Sequence, residues 1–370
     1  MMNKVLLSSI ILIIVLSIGW FFFFQDQKLS FLFNSSKHQQ SSSSTLGIKA
    51  QALDSDLSTT NFLQNLPVSA EKGVYSFNIS YTNSNTGEVK QRLCCVTVPD
   101  GFTQESTGSY PVYFFFHGTS QQTASPANNS CKQLVGSGCV SIVLLGSDLV
   151  STTGTTTTTV YSWDVKDSTG TYTTGADDLS LVNTVWDAIK NDPRLDLSKV
   201  YACGHSVGSL FISNELAPKT SIFTGHLCLS SQLLTTADIS AAQKPINIVT
   251  IHGEADPLIP IDGGPASFNA DINFLSEEET INAWLQHNGC SGETDSSSDS
   301  FNYIFTSQGS NTQQTISVSY TKYASLCSSG FVCGYRLKNI QHNTIDPAMQ
   351  LFGVTNTAAL TLTVFGGSLV

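Results

Sequence analysis

Apolar positions along the chain fall into two alternating patterns. Short runs rich in β-branched and aromatic residues predict strands at 74–81, 88–99, 111–118 and 140–147. Further strands are expected at 199–204, 225–231, 246–253 and 331–340. The runs 112–116 and 246–251 are apolar almost without a break, as in strands covered on both faces. Helical spacing appears between them. In 177–192, Leu179, Val182, Val185, Trp186 and Ile189 share one helical face, and Asp177 and Asp178 suit its N-terminus. A second helix is expected over 277–290, with acids first and Gly289 near its end. Strands alternating with helices predict an α/β fold with a mostly parallel central sheet flanked by helices. Two polar, low-complexity stretches, 151–160 and 291–300, read as surface loops.

The N-terminal pattern is different. Lys4 precedes an apolar run over 5–24. About 20 apolar residues span a bilayer, whereas the apolar part of a signal peptide needs about 7–15. Ser17-Ile18-Gly19 also has the small-x-small form of a cleavage site. Residues 1–25 are therefore expected to form a signal peptide or a membrane anchor. Residues 26–52, which include "SSSST", read as a flexible tether, and 53–370 as one domain. Either reading exports the domain, secreted or anchored, with the N-terminal segment as its only membrane contact.

Composition narrows the partners. Of 370 residues, 41% are hydrophobic and only 12% charged, with a formal net charge of -11. An acidic surface poor in Lys and Arg repels phosphate backbones, which disfavours nucleic acid and favours uncharged substrates. There are nine cysteines. Cys203 and Cys228 sit in apolar strand-like runs and read as buried thiols. Cys94, Cys95, Cys131, Cys139, Cys290, Cys327 and Cys333 are open to bridging in an oxidising compartment, and the odd total leaves at least one thiol. No Cys/His spacing resembles a zinc site, so no metal is expected. Sequons at Asn34, Asn78 and Asn128 would carry glycans in a eukaryotic source.

The chemistry centres on Gly204-His205-Ser206-Val207-Gly208. An apolar strand runs into this pentapeptide and a helical stretch follows it, the context of a nucleophile elbow. Small residues two positions either side of the serine let the strained turn pass between strand and helix. Ser206 is thus the candidate nucleophile, and the Val207 N–H a candidate oxyanion donor. A serine hydroxyl needs a base and an orienting acid, which in such folds follow in the order acid, then histidine. Asp256 lies in the loop after the strand at 246–253, with Glu254 the weaker rival and with His252 and Gly253 shaping the turn. Only His287 and His342 come later, and His342 lies in a loop after the last predicted strand. His117-Gly118-Thr119 ends the strand at 111–118. Its Thr119 N–H is the second expected oxyanion donor, and His117 reads as structural. Trp163 is the candidate substrate-lining aromatic, with a core position as the alternative.

With these residues placed, the chain resembles the α/β-hydrolase superfamily. Within it, the chain is similar to secreted esterases of the polyhydroxybutyrate depolymerase and feruloyl-esterase type. The resemblance rests on "FFFHG", "ADDLSLV", "DLSKVYACGHSVG", "IHGEADPLIPIDGG" and "WLQHNGC", and spans most of the chain from Val74. It implies a Ser–His–Asp triad carried by Ser206, His342 and Asp256, and no cofactor. It also implies a Cys290–Cys327 bridge, with Cys333 the rival partner. Two departures stand out. Ser209 occupies a position often held by glycine, and "NIQHNTIDPAM" replaces a Gly-rich histidine loop that precedes Trp-Pro. The expected activity is hydrolysis of carboxylic esters, on polyesters, aromatic esters or acylated polysaccharides. The alternatives are a prolyl-oligopeptidase-type serine peptidase and a catalytically inactive binding module on the same fold.

Overall fold

The structure, a computed structural model, describes residues 51–52, 62–65 and 74–366, apart from stretches at 104, 109, 122–125, 154–155, 166–174, 243–244, 291–294, 307–312 and 328–329. The expected anchor and most of the expected tether lie outside these residues. Among the described residues no helix is long and apolar enough to cross a membrane.

The chain order begins with strands β1 (Gln51–Ala52), β2 (Val74–Thr82), β3 (Val89–Thr97) and β4 (Tyr110–Phe116), then helix α1 (Pro126–Gln133) and β5 (Val140–Leu144). A hairpin, β6 (Ser147–Thr153) and β7 (Thr156–Ser162), leads to helix α2 (Asp178–Ile189) and strand β8 (Leu195–His205). Helix α3 (Val207–Phe211) follows at once and runs on through a π turn at Ile212–Leu216. After β9 (Gly225–Leu229) and β10 (Asn247–Gly253) come α4 (Glu277–Asn288) and the long pair β11 (Asp295–Thr306) and β12 (Gln313–Leu326). Strand β13 (Phe331–Leu337) and helices α5 (Ile345–Leu351) and α6 (Thr357–Gly366) close the chain.

Among the described residues eleven strands form one sheet in the order β1-β2-β3-β5-β4-β8-β9-β10-β13-β12-β11. The six from β5 to β13 are parallel, and antiparallel pairs flank them on both sides. Alternate residues of the central strands feed two cores. Phe114, Phe116, Ala202 and Ile248 face one side, against Leu181, Val185, Phe211 and Trp284 of the helices there. Tyr113, Phe115, Cys203 and Val249 face the other, against Leu134, Ala348, Leu360 and Val364. Each of the Phe, Leu, Ile and Val side chains among these contributes roughly 1.5–3 kcal/mol by leaving water. Burial on both faces is why these strands read as unbroken apolar runs. This strand order, with a strand–turn–helix at its centre, is the α/β-hydrolase fold.

All eight expected strands are present, and both expected helices. Asp177 caps α2 through a bond from the Ser180 amide. Ser276 and Glu279 form a capping box at the start of α4, and Gly289 ends it at φ 68. Two expectations need correcting. The stretch 151–160 lies largely in the β6–β7 hairpin, because β-branched threonine favours extended backbone. Likewise the second half of 291–300 is the start of edge strand β11, whose residues 296–300 are exposed. Phe301 and Tyr303, further along β11, pack on the second core, but the Ser-rich start of the strand carries no apolar alternation to reveal it.

Cys290 follows α4 and Cys327 precedes β13. The two are joined, with Cα atoms 4.9 Å apart across a sequence separation of 37. Cys94, Cys95, Cys131, Cys139 and Cys333, left open to bridging by the sequence, are instead buried free thiols, as are Cys203 and Cys228.

Candidate active site

The order of the sheet locates a site before any side chain is considered. From β4 the chain passes to β5 on one side, and from β8 to β9 and β10 on the other. Connections that leave in opposite directions open a crevice at the carboxyl ends of β4 and β8, where open α/β sheets hold ligands.

Ser206 sits at that crevice, between β8 and α3, with φ 55 and ψ -123. Positive φ is strained for serine, and the surroundings enforce it. The Ser206 amide donates to Leu229 O at 2.9 Å. A Cβ on Gly204 would stand 2.5 Å from Gly208 C, and one on Gly208 would stand 2.1 Å from Phe116 O. Only glycine at both positions lets helix and strand approach closely enough for the turn. Ser209 adds a polar stitch. Its buried hydroxyl accepts from Leu229 N at 2.7 Å, with Gly204 O at 2.5 Å and Leu229 O at 2.9 Å as acceptors for its proton.

His342 Nε2 lies 2.8 Å from Ser206 Oγ, and His342 Nδ1 lies 2.7 Å from Asp256 Oδ2. Ser206 is half-buried, while His342 and Asp256 are buried. Burial opposes ionisation of Asp256, but hydrogen bonds from His252 and His342 outweigh it and hold the carboxyl well below its ordinary value. Asp256 Oδ1 accepts the Leu258 and Ile259 amides at 2.8 and 3.1 Å. The rivals are elsewhere. Glu254 is exposed, and His287 packs edge-on against Trp284.

The loop carrying His342 is held by groups that sequence patterns did not single out. Ser230, at φ 56, donates its hydroxyl to His342 O and receives a bond from Thr344 Oγ1 at 2.6 Å. His205 Nε2 also donates to His342 O, at 3.2 Å. Desolvation first, and the neighbouring His342 second, push His205 down to about 3. The Ala255 amide bonds Ile340 O at 2.9 Å, tying the acid loop to the histidine loop. A Cβ on Gly253 would lie 2.2 Å from Ile340 O, so this approach also requires glycine.

On the other wall, Gly118 packs on Ser206, whose Cβ would lie 3.2 Å from a Cβ placed there. Thr119 follows it, half-buried. Val207 begins α3, so its N–H belongs to the helix's first turn, which lacks intrahelical acceptors. His117 is buried: Gly146 N donates to its Nε2 at 2.9 Å, so its proton sits on Nδ1 and bonds Gly118 O at 2.6 Å. Desolvation lowers His117 to about 4, and it stays neutral near pH 7. Trp163 does not line a substrate surface. It is fully buried among Phe116, Phe211 and His117, and its Nε1 donates to His117 O at 2.7 Å. An indole that fills the core beneath the loop and finds its acceptor there has no face left for substrate.

Among the described residues no cluster of His, Cys, Asp and Glu is arranged to hold a metal.

No family model matches the chain. Two curated chains, both with provisional esterase designations, are similar over part of it. One is a feruloyl esterase C of Aspergillus terreus, 29% identical over 116 residues, which cover 31% of this chain and 37% of the relative. The other is an esterase from Nocardia uniformis subsp. tsuyamanensis, 31% identical over 120 residues, 30% of this chain and 35% of the relative. The chain thus matches little more than a third of the length of these relatives. Among solved structures, an acetyl xylan esterase from Aspergillus awamori superposes with a TM-score of 0.40 at 13% identity, covering 71% of this chain and 94% of that one. An S-formylglutathione hydrolase from Agrobacterium tumefaciens gives 0.40 at 11% identity, covering 74% and 90%. Neither superposition bears on activity, and the fold assignment rests on the strand order itself.

Proposed function

We propose that this chain is an extracytoplasmic serine esterase that hydrolyses carboxylic esters through Ser206, His342 and Asp256. The observation that carries the reading is the unbroken hydrogen-bonded run from Ser206 Oγ through both ring nitrogens of His342 to Asp256 Oδ2, at 2.8 and 2.7 Å. It lies at the crevice where the sheet changes direction. The esterase designations of the two curated relatives add support.

Ser206 Oγ attacks the ester carbonyl as its proton passes to His342 Nε2. The carbonyl oxygen, now negative, takes hydrogen bonds from the N–H groups of Val207 and Thr119. His342 returns the proton to the leaving alcohol, and an acyl group remains on Ser206. Water, deprotonated by His342, attacks that acyl group, and Ser206 leaves with the proton. Asp256 keeps the His342 proton on Nδ1 and stabilises the imidazolium formed in each half. An uncharged ester suits the acidic surface, and an aromatic acyl group is the first candidate in view of the feruloyl designation.

The apolar run over 5–24 and the Cys290–Cys327 bridge support the location, since such bridges persist in oxidising compartments. The test is labelling with a fluorophosphonate probe and turnover of p-nitrophenyl acetate, methyl ferulate and a peptide anilide. Labelling at Ser206, ester turnover without anilide cleavage, and loss of both in Ser206→Ala are expected. A chain that neither labels nor turns over any ester would overturn the reading. Anilide cleavage would favour a peptidase.

A further inference from the structure

Asp256 has a second imidazole on it. His252 Nε2 lies 3.1 Å from Asp256 Oδ2, the oxygen that His342 also uses, and 3.1 Å from Ile259 O. Both neighbours are acceptors, so His252 carries its proton on Nε2 and shares it between them. The ring lies in strand β10, fully buried.

A carboxylate offers about four acceptor positions. In Asp256 all four are used: two amides on Oδ1, two imidazoles on Oδ2. The amides alone would leave Oδ2 restrained only by His342, the group it has to orient. His252 supplies an independent anchor from the sheet. Behind it lies a second carboxylate. Glu277, fully buried at the start of α4, pairs with Arg336 Nε at 2.6 Å and is within electrostatic reach of His252. Arg336 stands directly opposite His252 in the β10–β13 register. His252 Nδ1 and Glu277 Oε1 are both buried without a hydrogen-bond partner. The sheet therefore holds a polar line, Arg336–Glu277–His252–Asp256, that ends on the acid facing His342. Buried polar groups cost free energy where they lack partners, and His252 Nδ1 and Glu277 Oε1 are two such places.

The structure assigns His252 as a positioning residue: its Nε2–H fixes Asp256 Oδ2 and withdraws part of that oxygen's negative charge from His342. The assignment rests on the esterase reading above and deepens it. His252 touches no substrate, so its loss changes turnover more than binding. With Nε2–H gone, Asp256 presents more charge to His342, and the basicity of His342 rises. The other groups facing this set are His205 from the elbow, Glu277 from α4 and Arg336 from β13, and none of them changes in the test variants.

The test compares His252→Gln, His252→Asn and His252→Phe on p-nitrophenyl acetate across pH. A glutamine amide nitrogen reaches the place of Nε2, whereas an asparagine amide reaches only the place of Nδ1. Asn and Phe are expected to lower kcat about tenfold with KM within about twofold. They are also expected to raise the acidic limb of the kcat/KM profile by about half a pH unit. Gln is expected to restore both. Should the Phe variant fail to fold, the Gln and Asn pair decides. Equal profiles for Gln and Asn, with wild type active, overturn the assignment. A wild type without ester turnover or Ser206 labelling counts instead against the esterase reading itself.

Discussion

At Ser209 a hydroxyl stands where similar elbows often have only hydrogen, and three backbone groups surround it. Ser209→Ala leaves the buried Leu229 amide without its acceptor. The expected cost is about 1–3 kcal/mol in urea unfolding, with labelling of Ser206 retained. At Asp256 the loss reaches turnover. Asp256→Asn keeps the shape but can present an amide N–H to His342, which favours the tautomer unable to accept from Ser206. A fall in kcat of about a thousandfold or more is expected, together with a lower melting temperature, because the amide also faces the N–H of His252. An unchanged kcat would remove Asp256 from the proposed mechanism.

Elements, rather than single side chains, bring the site together. The elbow exists because β4, β8 and α3 approach to distances that exclude a Cβ at Gly204 and Gly208. Gly208→Ala drives a methyl into Phe116 O, and a loss of about 4 kcal/mol or more is expected, read as insolubility or a large drop in urea midpoint. The histidine loop is built differently from the Gly-rich pattern of similar esterases: Ser230 and His205 hold the His342 carbonyl, and Thr344 holds Ser230. The Cys290–Cys327 link closes the segment that carries the β11–β12 pair. Closing a loop of that length limits the unfolded chain by roughly 3–4 kcal/mol. Reduction, or Cys290→Ser with Cys327→Ser, is expected to lower the melting temperature. No change on reduction would show that the bridge is absent from the native protein.

Over the whole molecule, desolvated histidines contribute to the response to acid. Desolvation holds His117 and His226 at about 4 and His205 at about 3, against an ordinary 6.5. Between those values and 6.5 the unfolded chain binds more protons than the folded one. The stability from keeping these rings neutral is therefore complete above about pH 6.5 and lost as pH falls towards 4. Asp178, raised to about 6 mainly by burial, and Glu277 and Asp346, raised by burial, have the opposite slope, whereas Asp256, held low by its hydrogen bonds, loses stability on acidification as the three histidines do. The urea midpoint is expected to be clearly lower at pH 4.5 than at pH 7. A midpoint that rises on acidification would mean that these histidines are solvated in the native state.

Much of this was legible in one dimension. Strands covered on both faces must be apolar throughout, so each of the central strands announced itself. Ser206, Asp256 and His342 could be named because chain order and the strand-end loops constrain where such groups fall. The hairpins β6–β7 and β11–β12 were harder to read, since their few core-facing residues, such as Val160 and Val318, stand among long runs of Ser and Thr. Trp163 was open between core and surface, because an indole serves either and only its neighbours decide. The same holds for Ser230, His205 and His252. Each acts through a hydrogen bond to a group far away in sequence or across a turn, and such bonds exist only once the sheet is assembled. Sequence alone determined the fold class and the order of candidate groups. The tertiary structure decided which polar groups meet, because direction and distance come from packing.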